Sequence, residues 1–138
     1  MLKYICLFIT CLFSGQLMAQ MDTSYTHYTD DQWGEVYNYV ETMPEFPGGD
    51  IEFKNFIRKN VKYPEYARDA NIQGKVFASF IITKTGEVAD IKIVRGLGYG
   101  LDEEVIRVLK RMPTWKPGTQ NGLAVNVKFQ LPVSFKLQ

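Results

Sequence analysis

The C-terminal end of the chain carries the pattern that most constrains its fold. From Leu123 to Leu137 every odd-numbered residue is apolar, whereas polar residues such as Asn126 and Gln130 occupy even positions. A period of two predicts a β-strand with one face against a core, and this one exceeds the usual length of roughly 5–6 residues. Because Pro132 lies inside the pattern and cannot donate to a neighbouring strand, we predict an edge strand or a bulged strand.

Two amphipathic helices are predicted before this strand. Residues 50–61 show a helical apolar stripe, and Asp50 is the expected N-cap. Residues 101–111 show a second stripe, with acidic residues near its N-terminus and basic residues near its C-terminus, as the helix dipole favours. Glu103 and Arg107 are four residues apart in the favourable orientation for an ion pair.

Alternating segments at 75–83 and 87–95 flank a turn at Gly86, which predicts a β-hairpin. Residues 33–40 are a candidate leader strand, and Pro64 suits the first turn of a short helix. The predicted fold class is therefore α+β. It has a small antiparallel sheet of three main strands, with the leader strand as a fourth, and two helices packed on one face, in the order α-β-β-α-β.

The N-terminus divides the chain into three segments. Residues 1–19 combine a basic start, an apolar run and small residues, which predicts a cleaved secretory signal peptide. Residues 20–42 form an acidic, partly flexible leader, and residues 43–138 form the domain. An uncleaved membrane anchor at residues 2–19 and a lipid on Cys11 are the alternatives.

Composition narrows the function classes. Both cysteines lie in the predicted signal segment, so the mature chain has no thiol for a disulfide, a metal site or catalysis. His27, the only histidine, lies in the leader, which argues against a Ser/His/Asp set. We predict no cofactor and no metal. One enzymatic hypothesis stays open, a carboxylate-dependent envelope hydrolase, which would require Asp50, Glu65 and Asp69 to share a pocket.

Charge and glycine patterns also argue against nucleotide partners. Six acidic residues and no lysine or arginine lie between Gln20 and Glu45, whereas the basic residues of the domain are scattered rather than clustered. This distribution does not favour nucleic acid. The glycines of residues 96–100 precede a helix, but the acidic residues 102–104 at its N-terminus would repel a phosphate.

An ordered set of motifs resembles the TonB C-terminal domain family, in the form common in Bacteroidetes. The motifs are "MPEFPGG", "YPEYARDANIQGKVFASFIITKTGEVADIKIVRG", "LDEEVIRVLKRMPTWKPG" and "VKFQLPVSFKL", which together span Met43 to Leu137. Each is weak alone, but their order and spacing are specific. The motif positions that we expect to be structural are Pro47, Gly48, Gly49, Tyr63, Pro64, Ala67, Gly74, Gly86, Leu101, Pro113, Trp115, Pro117 and Gly118.

The resemblance implies a periplasmic protein-interaction domain rather than an enzyme. In energy-transducing members, such a domain binds a peptide of an outer-membrane transporter by adding a strand to its sheet. The unpaired backbone of a long edge strand indicates the same surface independently. The partners implied are peptides of outer-membrane TonB-dependent receptors or other envelope proteins. The predicted partner-binding residues are Val125, Val127, Lys128, Phe129, Gln130, Leu131 and Val133.

Three alternatives to an open peptide site are kept. The edge is blunted by Lys128, Pro132 and Lys136, it is covered by the leader, or it pairs with a second copy of the chain. The chain also departs from full transducers, because residues 2–19 lack the histidine of their membrane helix and the leader is short. Membrane-anchored energy transduction is therefore the alternative function, with contact to a membrane only if residues 2–19 stay uncleaved.

The segment Arg111–Gly122 connects the second helix to the long strand. We predict that Pro113 ends the helix and that Pro117 and Gly118 start a turn. Trp115 is expected to pack as a lid over the end of the core, with a partner for its indole N–H, rather than to contact a peptide.

Overall fold

The computed structural model describes residues 27–137, so the predicted signal peptide and the first part of the leader lie outside the described residues. Three helices and six strands follow one another along this range. In chain order they are β1 (His27–Asp30), β2 (Gly34–Tyr37), α1 (Asp50–Asn60), α2 (Glu65–Asp69), β3 (Gly74–Ile82), β4 (Val88–Arg95), α3 (Leu101–Lys110), β5 (Gly118–Gln120) and β6 (Leu123–Phe135). None of the helices in this range is long and apolar enough to cross a membrane.

The α+β class is confirmed, but the predicted strand count and order are wrong. The strands lie in the order β1-β2-β6-β3-β4, and β5 pairs with β6 outside this path. The sheet is mixed rather than antiparallel, because β2 runs parallel to β6. The short α2 makes a third helix, and Pro64 is its N-cap.

Strand β6 is long, as its alternation predicts, but it is not an edge strand throughout. It pairs antiparallel with β3 without a register shift, from Ile82 opposite Val127 to Gly74 opposite Phe135. Its first residues pair with β5, with Val125 opposite Gly118. In addition, β2 pairs with Asn126 and Val127. The edge prediction is therefore wrong up to Val127, because a strand more than 80 residues earlier in the chain reaches this part of β6.

The leader contributes an ordered hairpin to the sheet. Strand β2 lies in the predicted leader strand, whereas β1 forms in a segment predicted to be flexible. The buried Asn126 holds this hairpin, because its side-chain amide donates to the carbonyl of Trp33 at 2.8 Å. The Asn126 side-chain oxygen accepts the N–H of Lys84 at 2.9 Å. Val36 of β2 is fully buried.

The two long helices form where they are predicted, with two differences in detail. Helix α1 follows Gly49, and no side-chain hydrogen bond caps it, so the prediction of Asp50 as the N-cap is wrong. In α3, Arg107 pairs with Glu104, three residues away, rather than with Glu103. Glu104 also accepts the N–H of Lys62, which fixes its carboxylate beside Arg107.

The main core lies between the helices and one face of the sheet, and Trp115 belongs to it. Its ring packs against Phe46, Phe53 and Phe129 with centroid distances of 5.4, 5.2 and 5.5 Å. The Trp115 side chain is 5% exposed, which confirms the predicted packing role. The predicted partner of its indole N–H is absent among residues 27–137.

Gly86 lets the loop that carries Trp115 approach the β3–β4 turn. The carbonyl of Gly86 accepts the N–H of Trp115 at 2.8 Å. Gly86 has φ of 87°, and a Cβ at this position would lie 2.0 Å from the Trp115 carbonyl oxygen. Only glycine satisfies both conditions.

Candidate functional site

The candidate site is the part of β6 that lacks a strand on one side. From Lys128 to Phe135, β6 pairs with β3, and no other strand of the described chain pairs with these residues. We call this stretch the open edge. At about 3.4 Å per residue it is roughly 24 Å long, which is enough for an extended peptide of about six to eight residues.

Pro132 indicates which backbone groups point outward along the open edge. The β3–β6 register continues through the pair Phe77–Pro132 without a shift. A proline fits an uninterrupted ladder only where its nitrogen points away from the partner strand. Since successive N–H groups of a strand point to opposite sides, Lys128, Gln130 and Ser134 also direct their N–H groups away from β3.

A groove of about 600 Å³ runs between helix α1 and the open edge. Its walls are largely apolar, and helix α1 contributes both apolar and basic side chains to them. One wall comes from α1 and the residues just after it, namely Phe53, Lys54, Ile57, Arg58, Val61 and Tyr63. The other wall comes from the end of β6 and the residue after it, namely Leu131, Pro132, Val133, Ser134, Phe135 and Lys136.

The groove lies over the helix-facing side of β6. Val133 and Phe135 belong to the buried core, and Leu131 packs against it. Tyr63 stacks edge-on against Phe135 at 5.6 Å, and its hydroxyl donates to the carbonyl of Ile72. A ligand beside the open edge would therefore meet a backbone ladder on one side and a helix on the other.

The residues expected to prevent strand pairing at this edge leave most of it available. Lys128 places its ammonium group 5.6 Å from the ring centre of Tyr28, so its side chain lies toward the β1–β2 hairpin. Pro132 removes a single outward donor. Within residues 27–42, the described part of the leader expected as a cover, strand pairing with β6 involves only Asn126 and Val127.

The opposite long edge, at β4, is less suitable for strand addition. Its register with β3 shifts between Phe77 and Ala78 and between Ser79 and Ile81. Asp90 adopts a left-handed backbone conformation with φ of 49°, and its carboxylate pairs with Lys92 at 3.3 Å. Bulges and paired charges of this kind protect edge strands from pairing.

The predicted partner-binding residues divide into two groups. Val125 and Val127 are already paired with other strands of the chain, Val125 with β5 and Val127 with β2. They therefore lie outside the open edge. Lys128, Phe129, Gln130, Leu131 and Val133 lie on the open edge. Sequence reasoning missed the helical wall of the groove. A second stripe at helical spacing along α1 and the residue after it was a signal that could have revealed this wall: Lys54, Ile57, Arg58 and Val61.

The motif residues lie mainly where segments meet. Glu45 exchanges two backbone hydrogen bonds with Lys116, of 3.0 and 2.8 Å, which join the "MPEFPGG" and "TWKPG" segments. Gly118 touches both Pro44 and Val127, so a Cβ there would approach each to 2.9 Å. The remaining motif residues include buried Ala67 and Leu101, the β3 start Gly74, the turn residues Pro47, Gly48 and Gly49, and the loop residues Pro113 and Pro117.

Asp50, Glu65 and Asp69 do not line the groove. Asp50 begins α1, whereas Glu65 and Asp69 are at the two ends of α2. Within residues 27–137, no group of three or more His, Cys, Asp or Glu side chains could hold a metal ion. The three carboxylates that the hydrolase hypothesis requires in one pocket therefore do not meet at this groove.

Comparisons with known proteins identify one family. The family model described as the Gram-negative bacterial TonB protein C-terminal matches residues 59–137, more than half of the chain. Two NMR solution structures of Helicobacter pylori TonB-CTD are similar, each with a TM-score of 0.41. One is 23% identical over 62% of this chain and 90% of its own, and the other is 27% identical over 67% and 89%. No curated protein matches.

Proposed function

We propose, because this chain belongs to the family of Gram-negative bacterial TonB C-terminal domains, that it binds extended peptides by β-strand addition at the open edge. The partners are peptides of outer-membrane TonB-dependent receptors or other envelope proteins. The binding serves TonB-dependent transmembrane transport. The chain acts in the periplasm, to which residues 1–19 direct it as a cleaved signal peptide.

One observation carries the proposal. The open edge, Lys128–Phe135, is supported by β3 on one side and faces an apolar groove on the other. Its outward N–H and C=O groups can pair with a peptide backbone, while side chains on one face of that peptide enter the groove. Recognition by strand addition draws its affinity from the backbone and its specificity from such pockets.

The test is a titration of the ¹⁵N-labelled protein with synthetic peptides from the periplasmic N-termini of outer-membrane receptors encoded in the same genome. We expect amide shifts concentrated on the open edge and on the groove wall of α1. A Gln130→Pro variant removes an outward N–H without removing a donor to β3, so it should fold and lose most of the binding. Circular dichroism checks the fold of this variant.

The proposal fails if the peptides shift β4 instead, or shift nothing, at millimolar concentration. Gln130→Ala is the matched control, because it changes the same side chain, which does not line the groove, but keeps the outward N–H, so it should bind as the wild type does. Sedimentation of the free protein tests whether a second copy of the chain occupies the edge. A dimer through β6 would also protect the outward amides from exchange before any peptide is added. Mass spectrometry of the native N-terminus tests cleavage; a chain that retains residues 2–19 would instead support the anchored transducer.

A further inference from the structure

Helix α1 presents two different faces. Phe53 and Phe56 contact the ring of Phe46 at 5.4 and 5.5 Å, so one face belongs to the core. Lys54 and Arg58, one helical turn apart, line the groove beside the open edge. No residue of α1 is fully buried, which is consistent with a helix that divides its surface between a core and a groove.

The groove carries an uncompensated positive charge. Lys54, Arg58 and Lys136 line it, and no aspartate or glutamate of the described range 27–137 does. None of the three takes part in an ion pair found among residues 27–137. Lys54 and Arg58 are four residues apart on α1, and like charges at this spacing repel each other, so an anionic ligand between the two would be attracted to both.

A strand added to the open edge brings alternate side chains toward these cations. Successive side chains of a strand point to opposite faces, and neighbouring strands lie about 4.8 Å apart. The side chains on the helix-facing side would enter the groove between α1 and β6. There they meet apolar surface from Ile57, Leu131 and Val133, and the charged ends of Lys54 and Arg58 at its rim.

We propose, on the basis of the proposed strand addition, that the bound peptide carries a carboxylate on its groove-facing side. Lys54 and Arg58 bind this carboxylate. An apolar residue two positions away fills the space between Ile57 and Val133. The peptide residues whose side chains point to the other face of the sheet do not enter the groove, so their type is not selected. The partner of the open edge is thus an extended segment in which acidic and apolar residues alternate with unselected ones.

The test uses blocked eight-residue peptides in which valine and threonine alternate. One central valine is replaced by glutamate, by glutamine or by lysine, and affinity for the full-length protein is measured by NMR titration. We expect the glutamate peptide to bind about three- to tenfold more tightly than the glutamine peptide at low salt. The lysine peptide should bind most weakly, and added salt should reduce the differences.

Substitutions in α1 locate the effect. Lys54→Gln and Arg58→Gln should each reduce the preference for glutamate over glutamine by about two- to fourfold. Lys59→Gln is the control, because Lys59 is also exposed on α1 but does not line the groove; the preference should not change. Circular dichroism verifies that all three variants fold.

The outcomes separate this inference from the proposed function. If glutamate and glutamine peptides shift the open edge equally and with equal affinity, strand addition stands and the carboxylate site is wrong. An equal loss in the Lys59→Gln variant also overturns the site, because it would reflect net charge alone. If no peptide shifts the open edge, both proposals fail.

Discussion

Replacement of Trp115 tests how the core beneath the site is held. The side chain is 5% exposed and is surrounded by aromatic rings, so Trp115→Ala should lower the free energy of unfolding by about 3–5 kcal/mol. Trp115→Phe loses two ring carbons besides the indole nitrogen, and each carbon is worth about 0.8 kcal/mol. It also removes a buried indole N–H that has no partner among the described residues, a group that costs about 1–3 kcal/mol.

These two terms nearly cancel, so Trp115→Phe should unfold within about 1.5 kcal/mol of the wild type. Urea denaturation followed by far-ultraviolet circular dichroism measures both variants, with constant slopes required for the comparison. Trp33→Phe is a parallel case, since the indole N–H of Trp33 is also buried with no partner within residues 27–137, and it should likewise unfold close to the wild type. If Trp115→Phe is as destabilising as Trp115→Ala, the indole N–H has a partner and the reasoning is wrong.

Three further predictions concern the turns and hydrogen bonds that shape the fold. Gly86→Ala should cost more than Gly122→Ala in urea denaturation, because both glycines have positive φ but a Cβ clashes with backbone only at Gly86; the strain alone is about 1–2 kcal/mol. The hydrogen bond from Arg107 lowers the pKa of Glu104 below 4.5, so the stability lost in Glu104→Gln should be largest above this pH and vanish as the pH falls through the folded-state value. Asn126→Ala should cost about 1–3 kcal/mol and speed amide exchange in β2.

Each of these predictions has a control and a contradicting outcome. Equal losses at the two glycines would show that the loop carrying Trp115 adapts to a new Cβ. Glu103→Gln is the control for Glu104, because Glu103 lacks the ion pair; a stability difference for Glu104→Gln that does not depend on pH would contradict the linkage. For Asn126, unchanged exchange at Val36 would mean that the hairpin is held by other contacts.

The sequence predicts the periodic elements of the fold but not all their neighbours. The alternation in β6 identifies the strand and the face that it buries, because alternation is a property of the strand itself. Which strand lies beside it depends on contacts such as that between Val36 and Asn126, which leave no local pattern. The edge prediction was wrong up to Val127 for this reason.

Two local details of the fold differ from the predictions, namely the turn before β6 and the start of α1. Asn121-Gly122 is a strong signal for a two-residue hairpin, and both residues have positive φ between β5 and β6. Residues 111–122 were predicted only to connect the second helix to the long strand, so β5 was missed. Asp50 has a side chain suited to an N-cap, but the chain enters α1 at Gly49, whose φ of 86° turns the backbone directly into the helix.

The candidate site was predicted only as a strand. Its helical wall was missed because exposed Lys54 and Arg58 resemble ordinary solvated residues of an amphipathic helix. Their significance comes from the position of α1 beside the open edge, which depends on the packing of Phe53 and Phe56 against Phe46. Sequence periodicity gives the faces of a helix, whereas only the tertiary structure shows what each face meets.

Amide hydrogen exchange along β6 tests the central claim most directly. In the free protein, the outward N–H groups of Gln130 and Ser134 should exchange fast, while those of Phe129 and Leu131, bonded to β3, should be protected. Addition of a receptor peptide should protect the first group and leave the second unchanged. Protection of Gln130 and Ser134 in the monomeric free protein, or their continued fast exchange at saturating peptide, would contradict strand addition at the open edge.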